Sequence, residues 1–222
     1  MTLEILYEDN HVIAVTKPNN IPVQADDSND KDMLTIVKEY IKEKYNKPGN
    51  VFLGLVHRLD RPVGGAIVFA KTSKGASRLS NEIRKQTFER KYLTVIEGHL
   101  NNSGTLEDYL VKNRKTNTSY VASKNTQDAK RAVLDYKTIG VDEALSLLEV
   151  KLHTGRSHQI RVQLSNQNTP IFGDQRYNKR STVGEQIALW SSEIRFKHPT
   201  KDKVITVSSN TPNKYPWNRF TN

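Results

Sequence analysis

Residues 56–71 read Val56-His57-Arg58-Leu59-Asp60-Arg61-Pro62-Val63-Gly64-Gly65-Ala66-Ile67-Val68-Phe69-Ala70-Lys71. The second half is an apolar run, Ala66 to Ala70, that reads as a buried strand. The first half sets a carboxylate, Asp60, between two guanidiniums, Arg58 and Arg61. Between the halves, Pro62 presets its own backbone angle, while Gly64 and Gly65 permit conformations and close approaches that other residues resist. The pattern predicts an acidic side chain held at the edge of a sheet by a tight loop. Flanking guanidiniums favour the ionised carboxyl, which suits a nucleophile or charged clamp better than a general acid. Taken alone, the stretch reads more simply as a surface turn whose aspartate has salt-bridge partners.

Upstream, residues 3–7 and 11–17 are β-rich and joined by Glu8-Asp9-Asn10, the pattern of a hairpin. Lys17-Pro18-Asn19-Asn20 breaks the second strand, and the polar run 24–32 is a loop. Leu34, Val37, Tyr40, Ile41 and Tyr45 recur at helical spacing, which predicts an amphipathic helix over 33–46. Residues 51–56 are strand-like and lead into the Asp60 loop; 65–71 form the strand that leaves it. Ser73 is placed to cap a helix over 74–86, with Ala76, Leu79 and Ile83 facing inward. Downstream, 88–97, much of 105–140, 145–153, 187–196 and 203–208 have β character. A short amphipathic helix is expected from about 157 to 167, with Ile160 and Leu164 on one side. Strands outnumber helices and hairpins outnumber βαβ crossovers. The predicted class is therefore α+β: a mixed, mostly antiparallel sheet flanked by a few helices. No repeat, low-complexity tract or long linker divides the chain, so residues 1–222 are expected to form a single domain.

Composition narrows the function. Lys and Arg number 34 against 24 Asp and Glu, a formal net charge of +10, which favours polyanionic partners and nucleic acid above all. No apolar stretch approaches the roughly 18–20 residues that span a bilayer, and the N-terminal residues lack the pattern of a signal peptide. The absence of cysteine excludes disulfides and thiolate metal sites and fits a cytoplasmic protein. His57, His153 and His158 are scattered, and the last two lie five apart rather than four, so no metal is expected. A Gly-x-Ser-x-Gly elbow and a phosphate-binding glycine loop are both missing. Nor is a second carboxylate nominated beside Asp60 for glycoside hydrolysis.

Three polar clusters remain: His57-Arg58-Asp60-Arg61, Arg90-Lys91-Tyr92, and Thr154-Gly155-Arg156-Ser157-His158-Gln159-Ile160-Arg161. In the third, Gly155 allows a sharp turn into a helix whose first N–H groups offer an anion site. Arg156 and Arg161 can supply charge to a phosphate or carboxylate. On a helix, Arg161 projects away from Ile160 and Leu164 and needs a partner elsewhere, for which Asp60 is a candidate. Physical chemistry alone stops at a basic α+β protein that binds RNA or DNA through a site containing a guanidinium-flanked aspartate.

The order of these segments resembles the RluA-type RNA pseudouridine synthases from about residue 4 to 208. Ile5 to Lys17-Pro18 is similar to that family's opening hairpin, and His57-Arg58-Leu59-Asp60 to its catalytic loop. Arg90-Lys91-Tyr92-Leu93 is similar to the strand bearing its active-site tyrosine. Leu152 to Val162, with Gly173-Asp174 downstream, is similar to its third core motif. Two departures stand out: Val63-Gly64-Gly65 replaces the usual Thr-Ser-Gly, and Asn19-Asn20 replaces a small residue and Gly after Lys-Pro. Asn tolerates left-handed backbone, so the second turn is expected to survive.

The resemblance implies the pseudouridine synthase fold and isomerisation of uridine to pseudouridine in ribosomal or transfer RNA, without cofactor or metal. It assigns Asp60 as nucleophile on a flipped-out nucleotide, Tyr92 as the residue stacking on the target base, and Arg161 as the charge partner of Asp60. Lys17, His57, Arg58, Arg61, Arg156, His158 and Gln159 are the implied substrate-binding residues. The chain is expected to begin at the catalytic domain, without an N-terminal RNA-binding domain. Substrate affinity must then come from basic residues such as Arg84, Lys85, Arg114, Lys115, Arg176 and Arg180. A monomer acting on RNA stem-loops, in the cytoplasm and away from membranes, completes the expectation. A non-catalytic RNA-binding protein on the same scaffold and a nucleic-acid or glycoside hydrolase are the competing readings.

Overall fold

The computed structural model describes residues 3–220. Chain contacts divide it into two compact units: Met1–Arg90 with Ser191–Asn210, and Lys91–Trp190 with Thr211–Asn222.

The first unit opens with the expected hairpin, β1 (Ile5–Glu8) and β2 (Val12–Lys17), paired antiparallel. Asp9 makes its turn, since one carboxylate oxygen accepts from the backbone N–H groups of His11 (2.8 Å) and Val12 (2.9 Å). Helix α1 (Met33–Lys44) follows, capped by Asp32, whose carboxylate accepts from Thr35 N. The strand expected over 51–56 is only a two-residue bridge, β3 (Gly54–Leu55). Strand β4 (Gly64–Ala70) is buried at all seven positions, which explains its unbroken apolar sequence.

Helix α2 runs Ser73–Arg84, and its cap is Thr72 rather than the expected Ser73. Both hydroxyls are competent, but Thr72 has the extended backbone of a cap and accepts from Gly75 N at 3.1 Å. With β5 as Glu89–Glu97 and β10 as Leu189–Lys197, strand β11 (Val204–Ser208) pairs antiparallel with β10. The order here is β1–β2–β4–β10, with β11 beside β10. Alternate residues of β2, β4, β10 and β11 (Val12, Ala14, Val68, Ile194, Phe196, Val207) meet Leu79 of α2 and Phe88 in one core.

In the second unit, β6 (Ser103–Asn113), β7 (Thr118–Ala122), β8 (Lys130–Asp142) and β9 (Leu145–Leu152) form an antiparallel meander. Its strands stand in the order β5–β9–β8–β6–β7. Helix α3 (Gln159–Asn166) is shorter than expected and is buried from Gln159 through Leu164, not amphipathic. Its polar residues are enclosed with partners for their donor groups: Gln163 Nε2 donates to Asp108 Oδ2 (2.8 Å), and Arg161 to Asp174, while Gln163 Oε1 is buried without a partner among the described residues. The α+β class and the antiparallel pairing match the sequence reading. The one-turn 3₁₀ helix Trp217–Arg219 was not anticipated.

Candidate active site

In the first unit, the loop carrying Asp60 is closed by a backbone bond from Val63 N to Asp60 O (3.0 Å). The end of β2 grips it from beneath. Lys17 has no exposed surface, and its ammonium donates to three carbonyls: Pro18 (2.9 Å), Ile21 (2.6 Å) and Arg61 (2.9 Å). Burial pushes Lys17 down to about 7, aided by the Arg61 charge and opposed by Asp60. Asn19 adds a bond from its side-chain amide to Pro62 O (2.8 Å), and Asn20 adopts left-handed backbone at φ 65. The unusual Asn19-Asn20 pair therefore makes the turn and fastens it to the loop.

His57 is buried, with Nε2 accepting from Val68 N at 3.1 Å and the ring packed on Phe88 at 5.4 Å. Burial, and then the Arg90 charge, push it down to about 3, so the ring is neutral. The expected pair of guanidiniums about Asp60 divides. Arg58 is exposed and makes no side-chain hydrogen bond among the described residues, whereas Arg61 reaches back to Asp26, Asp30 and Asn20 O. Two acidic residues in the 24–32 loop thus claim the charge that sequence adjacency assigned to Asp60. Gly65, at φ 110, begins β4 against β10; a Cβ there would lie 2.3 Å from Ser191 O.

The second unit holds the remaining candidates. Tyr92 is buried on β5, opposite Val150 of β9. Arg161 is buried and forms a two-pronged pair with Asp174, Nε to Oδ2 at 2.8 Å and Nη2 to Oδ1 at 2.7 Å, with its guanidinium 5.2 Å from the Tyr177 ring. Asp174 is itself oriented by the backbone N–H groups of Arg176 and Tyr177. The left-handed residue at the helix entrance is His158 (φ 55), not Gly155. The Tyr177 hydroxyl accepts from Ser119 N at 2.7 Å, which leaves its proton to donate to His158 Nδ1, also at 2.7 Å. The Gln159 amide is buried, accepting from Thr154 Oγ1 and Arg156 N and donating to Val133 O. Arg156 is exposed and donates from Nε to Arg131 O at 2.8 Å. Arg176, expected on the RNA side, is tied to the carbonyls of Thr116 and Asn117.

Asp174 and Tyr177 were missed as supports of Arg161 and His158. Their signal was Gly173-Asp174 with an aromatic three residues on, a turn whose carboxylate caps its own backbone.

The sequence profile of the RNA pseudouridylate synthases matches residues 11–166, a span that contains Lys17, Asp60, Tyr92 and Arg161. The chain belongs to that family. It is 32% identical over 213 residues to the uncharacterized RNA pseudouridine synthase YhcT of Bacillus subtilis, covering 95% of this chain and 69% of that protein. The ribosomal large subunit pseudouridine synthase D of Zymomonas mobilis is 28% identical over 221 residues, covering 95% and 69%. The tRNA pseudouridine synthase C of Pasteurella multocida is 30% identical over 229 residues, covering 93% and 90%. Among solved structures, human RNA pseudouridylate synthase domain containing 4 superposes with a TM-score of 0.79 at 20% identity, over 94% of this chain and 88% of that one. As a pseudouridine synthase the protein is an RNA-modifying isomerase, and its sheet is that of the pseudouridine synthase fold.

Proposed function

We propose that this pseudouridine synthase converts specific uridines of ribosomal or transfer RNA, with Asp60 as the nucleophile. The carboxylate attacks either the ribose at its anomeric carbon or the uracil ring. The bond between the anomeric carbon and the ring nitrogen of uracil breaks, the base turns, and a ring carbon bonds to the anomeric carbon; that ring carbon loses its proton, the freed nitrogen gains one, and Asp60 is released. Tyr92 is assigned to stacking on the target base and Arg161 to charge stabilisation. The shared chemistry of the relatives supports this reading, together with the position of Asp60 in a loop whose backbone is pinned by Lys17 and Asn19. A nucleophile must be held still while its target moves.

A stacked base is out of reach of a loop carboxylate, so the target uridine is flipped out or presented from a stem-loop. Exposed Arg58 is suited to the RNA backbone, whereas buried Lys17, His57 and Gln159 serve the loops that carry the reacting groups. The enzyme acts as a monomer in the cytoplasm, where its substrates are made.

The deciding experiment is site-resolved pseudouridine mapping of RNA from cells with and without the gene. Sites lost on deletion should return with the intact gene and not with Asp60→Asn, while purified Asp60→Asn still binds RNA. Normal turnover by Asp60→Asn would reject the assignment.

A further inference from the structure

Helix α2 presents Lys74, Ser77, Arg78, Asn81, Arg84 and Lys85 at spacings that place them on one stripe. None is acidic. The single carboxylate of the helix, Glu82, is turned aside to accept from Lys197 N at 2.9 Å. Along the stripe lies a groove of about 380 Å³ lined by Ser77, Arg78, Ser80, Asn81 and Arg84. Each lining side chain carries hydrogen-bond donors, and none is a carboxylate or an apolar group.

The guanidiniums in this groove are already oriented. Arg78 Nη1 donates to Pro199 O, and Arg84 Nη2 donates to Asn81 Oδ1 at 2.6 Å. A guanidinium has five N–H donors, so each retains several for a ligand. Lys74 and Lys85 are exposed, and their ammonium groups make no hydrogen bond or ion pair among the described residues. Helix α1 is different. There Lys38 and Lys42 alternate with Glu39 and Glu43, Lys44 is paired with Glu8, and Glu39 with Lys31.

We propose that this face of α2 is a phosphate-contact surface that engages the ribose-phosphate backbone of the RNA substrate without reading its bases. The proposal rests on the reading of the protein as an enzyme of RNA. Forked guanidiniums, hydroxyls and an amide together match phosphate oxygens. A membrane surface fits poorly, because an interfacial helix must offer apolar residues to the lipid, and here Leu79 is turned into the core. Four cations along about 16 Å of helix can meet several successive phosphates.

The test compares three proteins by fluorescence anisotropy with a labelled RNA stem-loop across a range of NaCl. These are the wild type, Lys74→Gln/Arg84→Gln/Lys85→Gln, and a control with the same loss of charge at α1 and the turn after it, Lys38→Gln/Lys42→Gln/Lys47→Gln. Each lost phosphate contact should reduce the steepness of log K against log [salt] by about one unit. The α2 variant should therefore flatten by about two to three units and the control by much less. Arg78 is left in place because it also holds Pro199 O; circular dichroism on all three proteins checks the fold. Equal slopes in all three proteins, or equal flattening in both variants, would overturn the α2 surface while leaving the RNA reading intact. A wild type that fails to bind the stem-loop overturns both.

Discussion

Lys17 Nζ donates to the carbonyl oxygen of Arg61 across 2.9 Å, one residue beyond Asp60. The contact joins the opening hairpin to the Asp60 loop through a fully buried side chain.

Replacing Lys17 by Met keeps the volume but leaves three carbonyls without their donor. The expected cost is about 3–5 kcal/mol, with loss of turnover as the loop loosens. The sign of the pH effect follows from burial. Lys17 titrates at about 7 in the fold and near the ordinary lysine value when unfolded. The unfolded chain therefore holds more protons between those values, and wild-type stability rises with pH through that window. Urea unfolding at several pH values should show this rise in the wild type and its disappearance in Lys17→Met. Parallel curves would refute it.

His57 acts in the same sense in its own, more acidic range. Its folded pKa, about 3, lies below the unfolded value, so the unfolded state binds more protons between the two. Stability contributed by the neutral ring is complete above the unfolded pKa and is lost as pH falls toward 3. His57→Phe should retain the packing on Phe88 but strand the Val68 N–H, at a cost of about 1–3 kcal/mol near neutrality. The gap between wild type and variant should narrow in acid. Thermal melts across the acid range decide the point.

Asp174→Ala removes the two carboxylate oxygens that accept from Arg161 Nε and Nη2. Breaking such a buried pair costs about 3–5 kcal/mol. Arg161→Lys should be nearly as damaging, since an ammonium cannot reproduce the fork. A double-mutant cycle with Asp174→Ala and Arg161→Met, read by denaturation, should give a strong coupling. Simple additivity would mean the pair is not a unit.

Gly65→Ala should fail to fold. The added Cβ meets the backbone of Ser191, with its oxygen at 2.3 Å and its nitrogen at 2.6 Å, and φ 110 is strained for any L side chain. Gly49→Ala is the contrast: its φ is also positive, but its Cβ would meet nothing within 4 Å. Comparing soluble yields of the two separates steric collision from backbone strain. Similar yields would show that β4 can move away from Ser191.

Much of the framework was legible because it is periodic. The apolar run of β4, the helical spacing of α1 and the turn residues Glu8-Asp9-Asn10 each point to one local structure. Local chemistry also predicted that Asn20 would accept left-handed backbone. What the sequence hid was pairing through space. Arg61 lies beside Asp60 in the chain, yet its guanidinium reaches Asp26 and Asp30, more than thirty residues away. Arg161 was matched with Asp60 from the sequence; its fork onto Asp174 was not foreseen, because Asp174 comes from a separate turn thirteen positions on. Helix α3 was read as amphipathic because Gln159, Arg161 and Gln163 are polar. Each was buried with its partners supplied by other elements. Lys17, a cation at a strand end, gave no hint that two loops would converge on it with three carbonyls.

The main chain of the Asp60 loop is itself held: the carbonyls of Asp60, Arg61 and Pro62 each accept a hydrogen bond, and Val68 N–H is held by His57. Anchorage of that kind is indifferent to the hydroxyls absent from Val63-Gly64-Gly65. It also leaves the exposed side chain of Arg58 free to change without moving the carboxylate. Substrate preference and chemical competence can then diverge separately in evolution, so that a lineage could exchange one target RNA for another while inheriting the same reaction.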